Sequence, residues 1–259
     1  MAPTDSVVAS FRARYRAAIA PGYSGYRHAL WVAGVGLAAI VFSASRLHAV
    51  QPLEWLMLLA ALLVGNVGEY TIHRRLGHRK WAPARLFYQR HTGDHHSFFT
   101  DTQMLWDTPR DWRVVLFPGW LIVVVLTVVA APGAWLLSAV ASSNAAWLWV
   151  LGVAATYLLY EMLHFSYHLP RQHWLHRHIP GLWRLRHLHV LHHARENMTE
   201  INFNLTFPLT DWLLGTLRWS PESPEDQTGS QTPEAAHTAP PATISASSRA
   251  SGPPPRAGC

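Results

Sequence analysis

The sequence predicts an all-α integral membrane protein with four transmembrane helices and a cytoplasmic, histidine-rich cap. Three observations support this fold class. Of the 259 residues, 49% are hydrophobic and only 14% are charged. Four apolar stretches are long enough to cross a bilayer, and most histidines follow the ends of two of them. A composition this apolar is atypical of soluble globular domains, so we treat the bilayer as the solvent for most of the chain.

The four candidate spans lie near residues 29–45, 54–72, 114–132 and 145–163. A transmembrane helix needs roughly 20 mostly apolar residues. A cleaved signal peptide is the alternative for the first stretch, but the preceding segment 1–28 is too long for a signal peptide and "FSAS" is a poor cleavage site. We therefore predict an N-terminal cytoplasmic segment at 1–28, a membrane domain at 29–220 and a disordered Pro-, Ser- and Ala-rich tail at 221–259.

The basic residues predict the orientation of the spans. Segments 1–28, 73–113 and 164–220 are rich in Arg, whereas the connection after the first span holds only Arg46 and the connection after the third span holds no Lys or Arg. The positive-inside rule then places both termini and the histidine-rich segments in the cytoplasm, and we expect a bacterial cell membrane. No nucleic-acid-binding motif accompanies the net charge of +6, so we expect no nucleic-acid partner.

Cysteine usage limits the kinds of metal site that this sequence can build. The single cysteine is Cys259, which excludes a disulfide framework, a zinc ribbon and a cysteine-ligated iron–sulfur cluster made by these residues alone. Any metal centre must therefore use other ligands.

Histidines supply that alternative. Of 17 histidines, most lie in residues 73–96 or 164–193, and each window begins where a span ends on the predicted cytoplasmic side. The topology therefore brings both windows to one membrane surface. The candidate ligands fall into four groups: His73 and His78; His91, His95 and His96; His164 and His168; His189, His192 and His193.

The spacing of these histidines predicts a dinuclear site. Residues at i, i+3 and i+4 share a helix face, as His189, His192 and His193 do, while adjacent residues point about 100° apart. The doublets His95-His96 and His192-His193 can therefore offer imidazoles to two neighbouring metals. His73 and His78 are five residues apart, so we expect Gly77 to break the helix and turn His78 inward.

Ligand type alone does not identify the metal, because imidazole suits iron, zinc, copper and nickel. A structural zinc takes four ligands in closed geometry, whereas ten histidines could hold two iron ions with open positions for oxygen. We therefore predict two iron ions, with zinc as the alternative. Glu69, Asp94, Glu161 and Glu196 are predicted to orient the ligand imidazoles through the second ring nitrogen.

Four further histidines are interpreted as bystanders that are solvated or bound to lipid headgroups: His173, His176, His178 and His187. If "HLHVLHH" is helical, His187 points about 160° away from His189 and cannot reach the same metals. If the segment is not helical, His187 replaces His189 as a ligand.

These motifs resemble the membrane fatty acid hydroxylase/sterol desaturase superfamily. Its HX4H, HX2-3HH, HX3H and HX2HH pattern is matched by the four groups, and "GLWRLRHLHVLHHAREN" looks like its last box. "FPLTDWLLGT" is similar to its closing motif, with Leu214 where Phe is usual. The resemblance covers about residues 66–217, and the extra histidines before the last box depart from the pattern.

The resemblance implies a four-helix membrane non-haem di-iron hydroxylase domain that uses O2 to hydroxylate or desaturate a fatty acyl, sterol or isoprenoid lipid. No cytochrome b5-like segment occurs in the sequence, so we expect an external electron donor, a ferredoxin or cytochrome with its reductase. The alternative is a non-enzymatic His-rich membrane protein that binds or transports zinc. Transporters usually place ionisable ligands near the bilayer midplane, whereas the middles of these spans lack His and Asp, which favours the enzyme.

Overall fold

A computed structural model describes residues 5–219 of the chain. The predicted disorder of 221–259 concerns residues outside this range and stays a prediction. Within residues 5–219 the protein is mostly helical, and its β-structure is one isolated bridge between Thr100 and Gln103. The predicted all-α class is confirmed.

Four helices are long and apolar enough to cross a membrane, as predicted. We name them the first to fourth spans: Gly25–Ser45, Pro52–Gly77, Leu121–Val140 and Ser143–Tyr167. The third span begins later than the prediction of residue 114, because Val114, Val115 and Leu116 are buried against the cap. Hydropathy does not distinguish an apolar residue in a protein core from one that faces lipid.

Two spans depart locally from α-helical geometry. The second span comprises a 3-10 turn at Pro52–Trp55, an α-helix at Leu56–Ile72 and a π-helical turn at His73–Gly77. The third comprises Leu121–Val125, a π-helical turn at Leu126–Ala130 and Ala131–Val140. Pro132 lacks an N–H group, and the π turn before it absorbs the missing hydrogen bond.

The fourth span is central and packs against the other three. The second and fourth spans approach closely at Gly152, where an added Cβ would lie 2.5 Å from the Cβ of Ala61. Small residues allow this approach, as in other membrane helix pairs. The second and fourth spans run in the same direction, so both end beneath the cap.

The cap is built from short helices and connecting loops. Its helical segments are Ala82–Ala84, Arg85–Tyr88, Gln89–His95, His96–Phe98, Pro109–Asp111, Trp112–Val115, Trp174–His178, Leu182–His193 and Leu209–Leu213. Phe98, Phe99, Val114 and Val115 form one of its hydrophobic clusters.

The N-terminal segment contains a helix, Asp5–Ala17, that is part of the cap. Arg12 donates 2.8 Å hydrogen bonds to the carbonyls of Phe98 and Gln103, and Arg16 forms a two-pronged ion pair with the buried Asp111. Asp111 lies in a hydrophobic surrounding that would raise its pKa, but hydrogen bonds from Arg16 and from backbone N–H groups lower it. The helix therefore supports the segment that follows His91, His95 and His96.

Candidate metal centre

All ten predicted ligand histidines lie together at the end of the bundle where the second and fourth spans stop. Nine of them are buried, and His96 is half-buried. Nine of the ten form two groups, in each of which one ring nitrogen per histidine lies within 4.8 Å of the others. The first group is His73, His78, His91, His96 and His192; the second group is His95, His168, His189 and His193.

His164 adjoins the second group, because its Nε2 lies 3.1 Å from Nε2 of His95. Both doublets are divided between the groups. His95 and His193 belong to the second group, while their neighbours His96 and His192 belong to the first. This is the arrangement that the spacing predicted for two adjacent metals.

Two π-helical turns position the histidines of the first two sequence motifs, His73 with His78 and His91 with His95 and His96. His73–Gly77 ends the second span, and Gln89–His95 carries the second motif. A π turn closes its hydrogen bonds between residues five apart and is wider than an α turn. It therefore brings His73 and His78 to the same side, which α-helical spacing does not, and His78 follows the turn as its C-cap.

The reason for a glycine at position 77 is the limited room for a side chain rather than a special backbone conformation. A Cβ at this position would lie 3.0 Å from Cδ2 of His91 and 3.5 Å from Cδ2 of His73. The helix ends here as predicted, and the glycine leaves room for the two imidazoles beside the position that a Cβ would take.

The last box is helical, as predicted. Leu182–His193 is one α-helix, and His189, His192 and His193 on its buried face reach the two groups. His187 lies on the same helix, is half-buried and belongs to neither group. The geometry therefore favours His189 over His187 as a ligand.

The Nδ1 atoms of five of these histidines contact backbone carbonyls at 2.5–3.1 Å. The pairs are His73 with Phe203, His95 with Val114, His168 with Met104, His192 with Ile201 and His193 with Phe99. A carbonyl only accepts hydrogen bonds, so Nδ1 carries the proton in each case. In a neutral ring the remaining nitrogen, Nε2, then presents a lone pair to the interior of the site.

Thr92 fixes His78 in the same way. Its hydroxyl donates to the carbonyl of Gly77 at 2.7 Å and lies 3.0 Å from Nδ1 of His78. Because the hydroxyl proton is already used, the oxygen accepts from His78 Nδ1–H. Thr92 could not be identified from the sequence, since a single threonine beside a group of histidines carries no distinguishing signal.

The inward nitrogens face each other too closely to be explained by hydrogen bonds. Nε2 of His95 lies 3.1 Å from Nε2 of His193, and Nε2 of His78 lies 3.1 Å from Nε2 of His192. With both Nδ1 atoms protonated, each neutral pair brings two lone pairs together without a proton between them. A cation shared by the two nitrogens would satisfy both lone pairs, so the residues fit a bound metal.

The electrostatic environment keeps these imidazoles neutral. Burial, followed by the proximity of other histidines, lowers the pKa of His91, His95 and His96 well below the usual value. The same causes act on His168, His189 and His193, and burial lowers the pKa of His192 to about 4. Neutral imidazole is the form that binds metals.

The four carboxylates that we predicted to contact ligand imidazoles either bond to other groups or are exposed. Glu69 accepts hydrogen bonds from the backbone N–H groups of Leu205 and Thr206. Asp94 pairs with Gln89 and Arg90, and Glu161 accepts from the N–H of Phe117 at 3.4 Å. Glu196 is exposed.

Backbone carbonyls, rather than carboxylates, therefore contact the second ring nitrogen of five of these histidines. A carbonyl holds the ring without burying a negative charge, which is costly in an apolar site. Every residue has a carbonyl, so the sequence contains no signal for which ones are used.

Asp211 holds two of those carbonyls in place. Its side chain is fully buried and accepts hydrogen bonds from the N–H groups of Phe203 and Asn204 and from the hydroxyl of Thr216. These bonds fix the loop whose carbonyls receive His192 and His73. The family-like motif "FPLTDWLLGT" contained this aspartate, but its structural role was not evident from the sequence.

The four predicted bystanders lie outside both groups. The expectation that these side chains are solvated or bound to headgroups is wrong for His176, which is buried and contacts the carbonyl of Ser166 at 3.0 Å. His178 is exposed and contacts the carbonyl of Trp174, and His173 caps the short helix Trp174–His178.

A small pocket adjoins the second group. It is bounded on one side by apolar residues that connect the cap to the third span and on the other by the histidines. Its lining residues are Arg90, His91, His95, Val114, Val115, Leu116, Phe117 and His164. Phe117 stacks on Tyr160 of the fourth span, with ring centroids 5.4 Å apart. The pocket's cavity volume of about 10 Å³ is room for about one water molecule, and Arg90 and three histidines form the polar part of its lining.

Comparisons with known proteins agree with this architecture. A family model described as "Fatty acid hydroxylase" matches residues 58–216, more than half of the chain. Among solved structures, one titled "Full length scs7p (only hydroxylase domain visible)" superposes with a TM-score of 0.52 and 21% identity, covering 77% of this chain and 69% of that chain. At this identity the likeness shows the fold alone. No curated protein matches the sequence.

Proposed function

The chain belongs to the fatty acid hydroxylase family, and we propose that it is a membrane non-haem di-iron enzyme that uses O2 and external electrons to hydroxylate or desaturate a lipid. The main observation behind the proposal is that two Nε2 lone pairs face each other at 3.1 Å within each histidine group. The pairs are His78 with His192 in the first group and His95 with His193 in the second. The family supports a membrane lipid hydroxylase; the metal, the oxidant and the lipid class are our proposals.

The first group would hold one ion through five imidazoles: His73, His78, His91, His96 and His192. The second group, together with His164, would hold the other. Five candidate ligands per ion exceed the four of a closed structural zinc site.

The distances between ligand nitrogens also favour a metal of higher coordination number. Two nitrogens about 2.1 Å from one ion lie about 3.0 Å apart at 90° and about 3.4 Å apart at the tetrahedral angle. Seven contacting Nε2 pairs lie 3.0–3.2 Å apart. This spacing is closer to that of ligands at right angles than to that of tetrahedral ligands, and so supports iron over tetrahedral zinc.

Bound iron would supply the redox chemistry that activates O2 for attack on an unactivated C–H bond. The protein's residues would exclude water by burying the imidazoles, and would fix the tautomers of five imidazoles through backbone carbonyls and that of His78 through Thr92. We place the entry of an apolar lipid chain at the pocket beside residues 114–117, next to His95 and His164, and the pocket would have to widen to admit that chain.

The electrons would come from a separate protein. Each turnover needs two electrons, and the single cysteine of the chain cannot build an iron–sulfur cluster. We therefore propose a ferredoxin or a cytochrome with its reductase as the partner.

The test combines metal analysis with reconstituted turnover. Purified protein should contain about two iron ions per chain, and should incorporate an atom of isotope-labelled O2 into membrane lipid, or introduce a double bond, only when a ferredoxin and its reductase are added. His95→Ala is the inactive control, because His95 contacts both His193 and His164.

Two results would contradict the proposal. Turnover by the isolated chain with lipid and oxygen alone would remove the need for a donor. Stoichiometric zinc without oxygen consumption in any reconstituted system would instead support the zinc-binding alternative.

A further inference from the structure

The chain that follows the last histidine box returns along the second span. Asn66, inside that span, accepts hydrogen bonds from the N–H and hydroxyl groups of Thr210 and donates to the carbonyl of Phe207. Asn204 in turn donates to the backbone carbonyl of Asn66. Asn66 precedes His73 by seven residues (73 − 66), or about 10 Å along the helix on the membrane side. The segment therefore descends below the level of the metal centre.

The polar groups of this segment are paired within the protein. Asp211 is fully buried and accepts from Phe203, Asn204 and Thr216. The N–H groups of Thr216 and Leu217 bond to the carbonyl of Asp211, and that of Leu214 bonds to the carbonyl of Thr210. Irregular backbone is tolerated at membrane depth only when its polar groups are satisfied in this way.

The outward side chains of residues 207–214 are apolar, and the exposed charged side chain of the segment, Arg218, lies near its end. Trp212 and Leu213 are 66% and 63% exposed, and Phe207, Leu209, Leu214 and Trp219 are exposed as well. This surface adjoins the second span, on which the segment packs through Asn66 and in which Leu63 and Val67 are also exposed. Contiguous exposed apolar surface marks a contact with a membrane or another protein, and its position beside a span identifies the bilayer here.

We propose that Phe207–Trp219 is a re-entrant membrane segment whose Trp212–Leu214 face is immersed in lipid beside the second span. Its partner is the acyl-chain region of the bilayer. Immersion holds in place the loop whose Ile201 and Phe203 carbonyls receive His192 and His73. The lipid phase thereby supports two candidate ligands through the protein backbone.

The proposal is tested by measuring depth, independently of metal or activity. Cys259→Ser removes the only cysteine, and single cysteines are then introduced for spin labelling in phosphatidylcholine vesicles. Leu213→Cys is the test position, Val67→Cys is the lipid-facing reference and Glu196→Cys is the exposed cap reference. For each label, collision with O2, which concentrates in lipid, is compared with collision with a water-soluble nickel chelate.

The Leu213 label should show the high ratio of O2 to nickel collisions found at Val67. A ratio equal to that at Glu196 would show that the segment lies in water. Low collision rates with both reagents would show that protein covers it; either result overturns the proposal. Trp212→Cys provides the same test if Leu213→Cys does not accumulate, because the two side chains are adjacent and similarly exposed.

Discussion

Opposed lone pairs are the most informative feature at the scale of single residues. Nε2 of His168 and Nε2 of His189 lie 3.2 Å apart, and His193 lies 3.0 Å from His189 by the same atoms. His168 and His193 donate their Nδ1 protons to carbonyls, so His189 stands between two lone pairs. Within residues 5–219, Nδ1 of His189 has no hydrogen-bond partner, so a proton on Nε2 of His189 could pair with one of these lone pairs, whereas a cation shared by the three rings would satisfy both.

His189 and His187 therefore make a matched pair for mutation. His189→Ala should release at least one metal and abolish activity, because it removes a nitrogen at the centre of the second group. His187→Ala should keep two metals and most activity, because His187 belongs to neither group. Metal analysis of the two purified variants is the measurement. Full metal in His189→Ala with depletion in His187→Ala would reverse the assignment.

Asp211 provides a test of positioning without touching a ligand. Asp211→Asn replaces one carboxylate oxygen with an NH2 group, which then faces a backbone N–H or a hydroxyl. Leaving such a buried donor unpaired costs about 1–3 kcal/mol. Because the loop carries the carbonyls for His73 and His192, metal affinity should fall roughly 10- to 100-fold.

The measurements for Asp211→Asn are thermal unfolding and competition for metal with a chelator. Glu196→Gln is the control, because Glu196 is an exposed acid that follows the last box. A similar loss of affinity in both variants would show that Glu196, as sequence analysis predicted, also orients the site.

At the scale of elements, the π turn at His73–Gly77 combines a wide turn with a glycine. Gly77→Ala would place a methyl group 3.0 Å from the His91 ring, so the ring must shift and metal binding should weaken. Gly68→Ala is the matched control in the same span, because nothing lies within 4 Å of its added Cβ. It should be neutral, or stabilising by up to about 1 kcal/mol.

Metal content and melting temperature of the two glycine variants check this prediction. Equal metal content in Gly77→Ala and wild type would mean that the site tolerates the methyl group, and the close approach of His91 would then not explain the glycine.

The elements also show what a sequence can and cannot predict. The four spans and the helical last box followed from hydropathy and from i, i+3, i+4 spacing, both of which are local properties. The π turns were not predicted, because α-helical periodicity assigns His73 and His78 to different faces. The start of the third span was misplaced at residue 114, because Val114 and Val115 have the hydropathy of a span but pack in the cap.

At the scale of the whole molecule, the doublets predicted the division of the candidate ligands between two groups, because adjacent residues on a helix must point in different directions. The orienting groups were not predictable, since they are carbonyls of loops distant in sequence. The helix Asp5–Ala17 was also missed: Arg12 and Arg16, which sequence analysis used only as topology signals, bind Phe98, Gln103 and Asp111.

The orientation of the whole molecule in the membrane gives the last prediction. The cap end carries most of the basic residues, including eight Lys or Arg in segment 73–113, whereas the far end has Arg46. We therefore expect the histidine groups to face the cytoplasm. In a Cys259→Ser background, a membrane-impermeant maleimide should label Ser143→Cys in intact cells, because exposed Ser143 begins the fourth span at the far end.

Glu196→Cys, exposed in the cap, should react only after the cells are opened, and labelling of both variants in opened cells is the control for reactivity. The opposite pattern in intact cells would place the two histidine groups outside. A soluble cytoplasmic ferredoxin or cytochrome could not then reach them, so the electron-donor proposal would be contradicted together with the orientation.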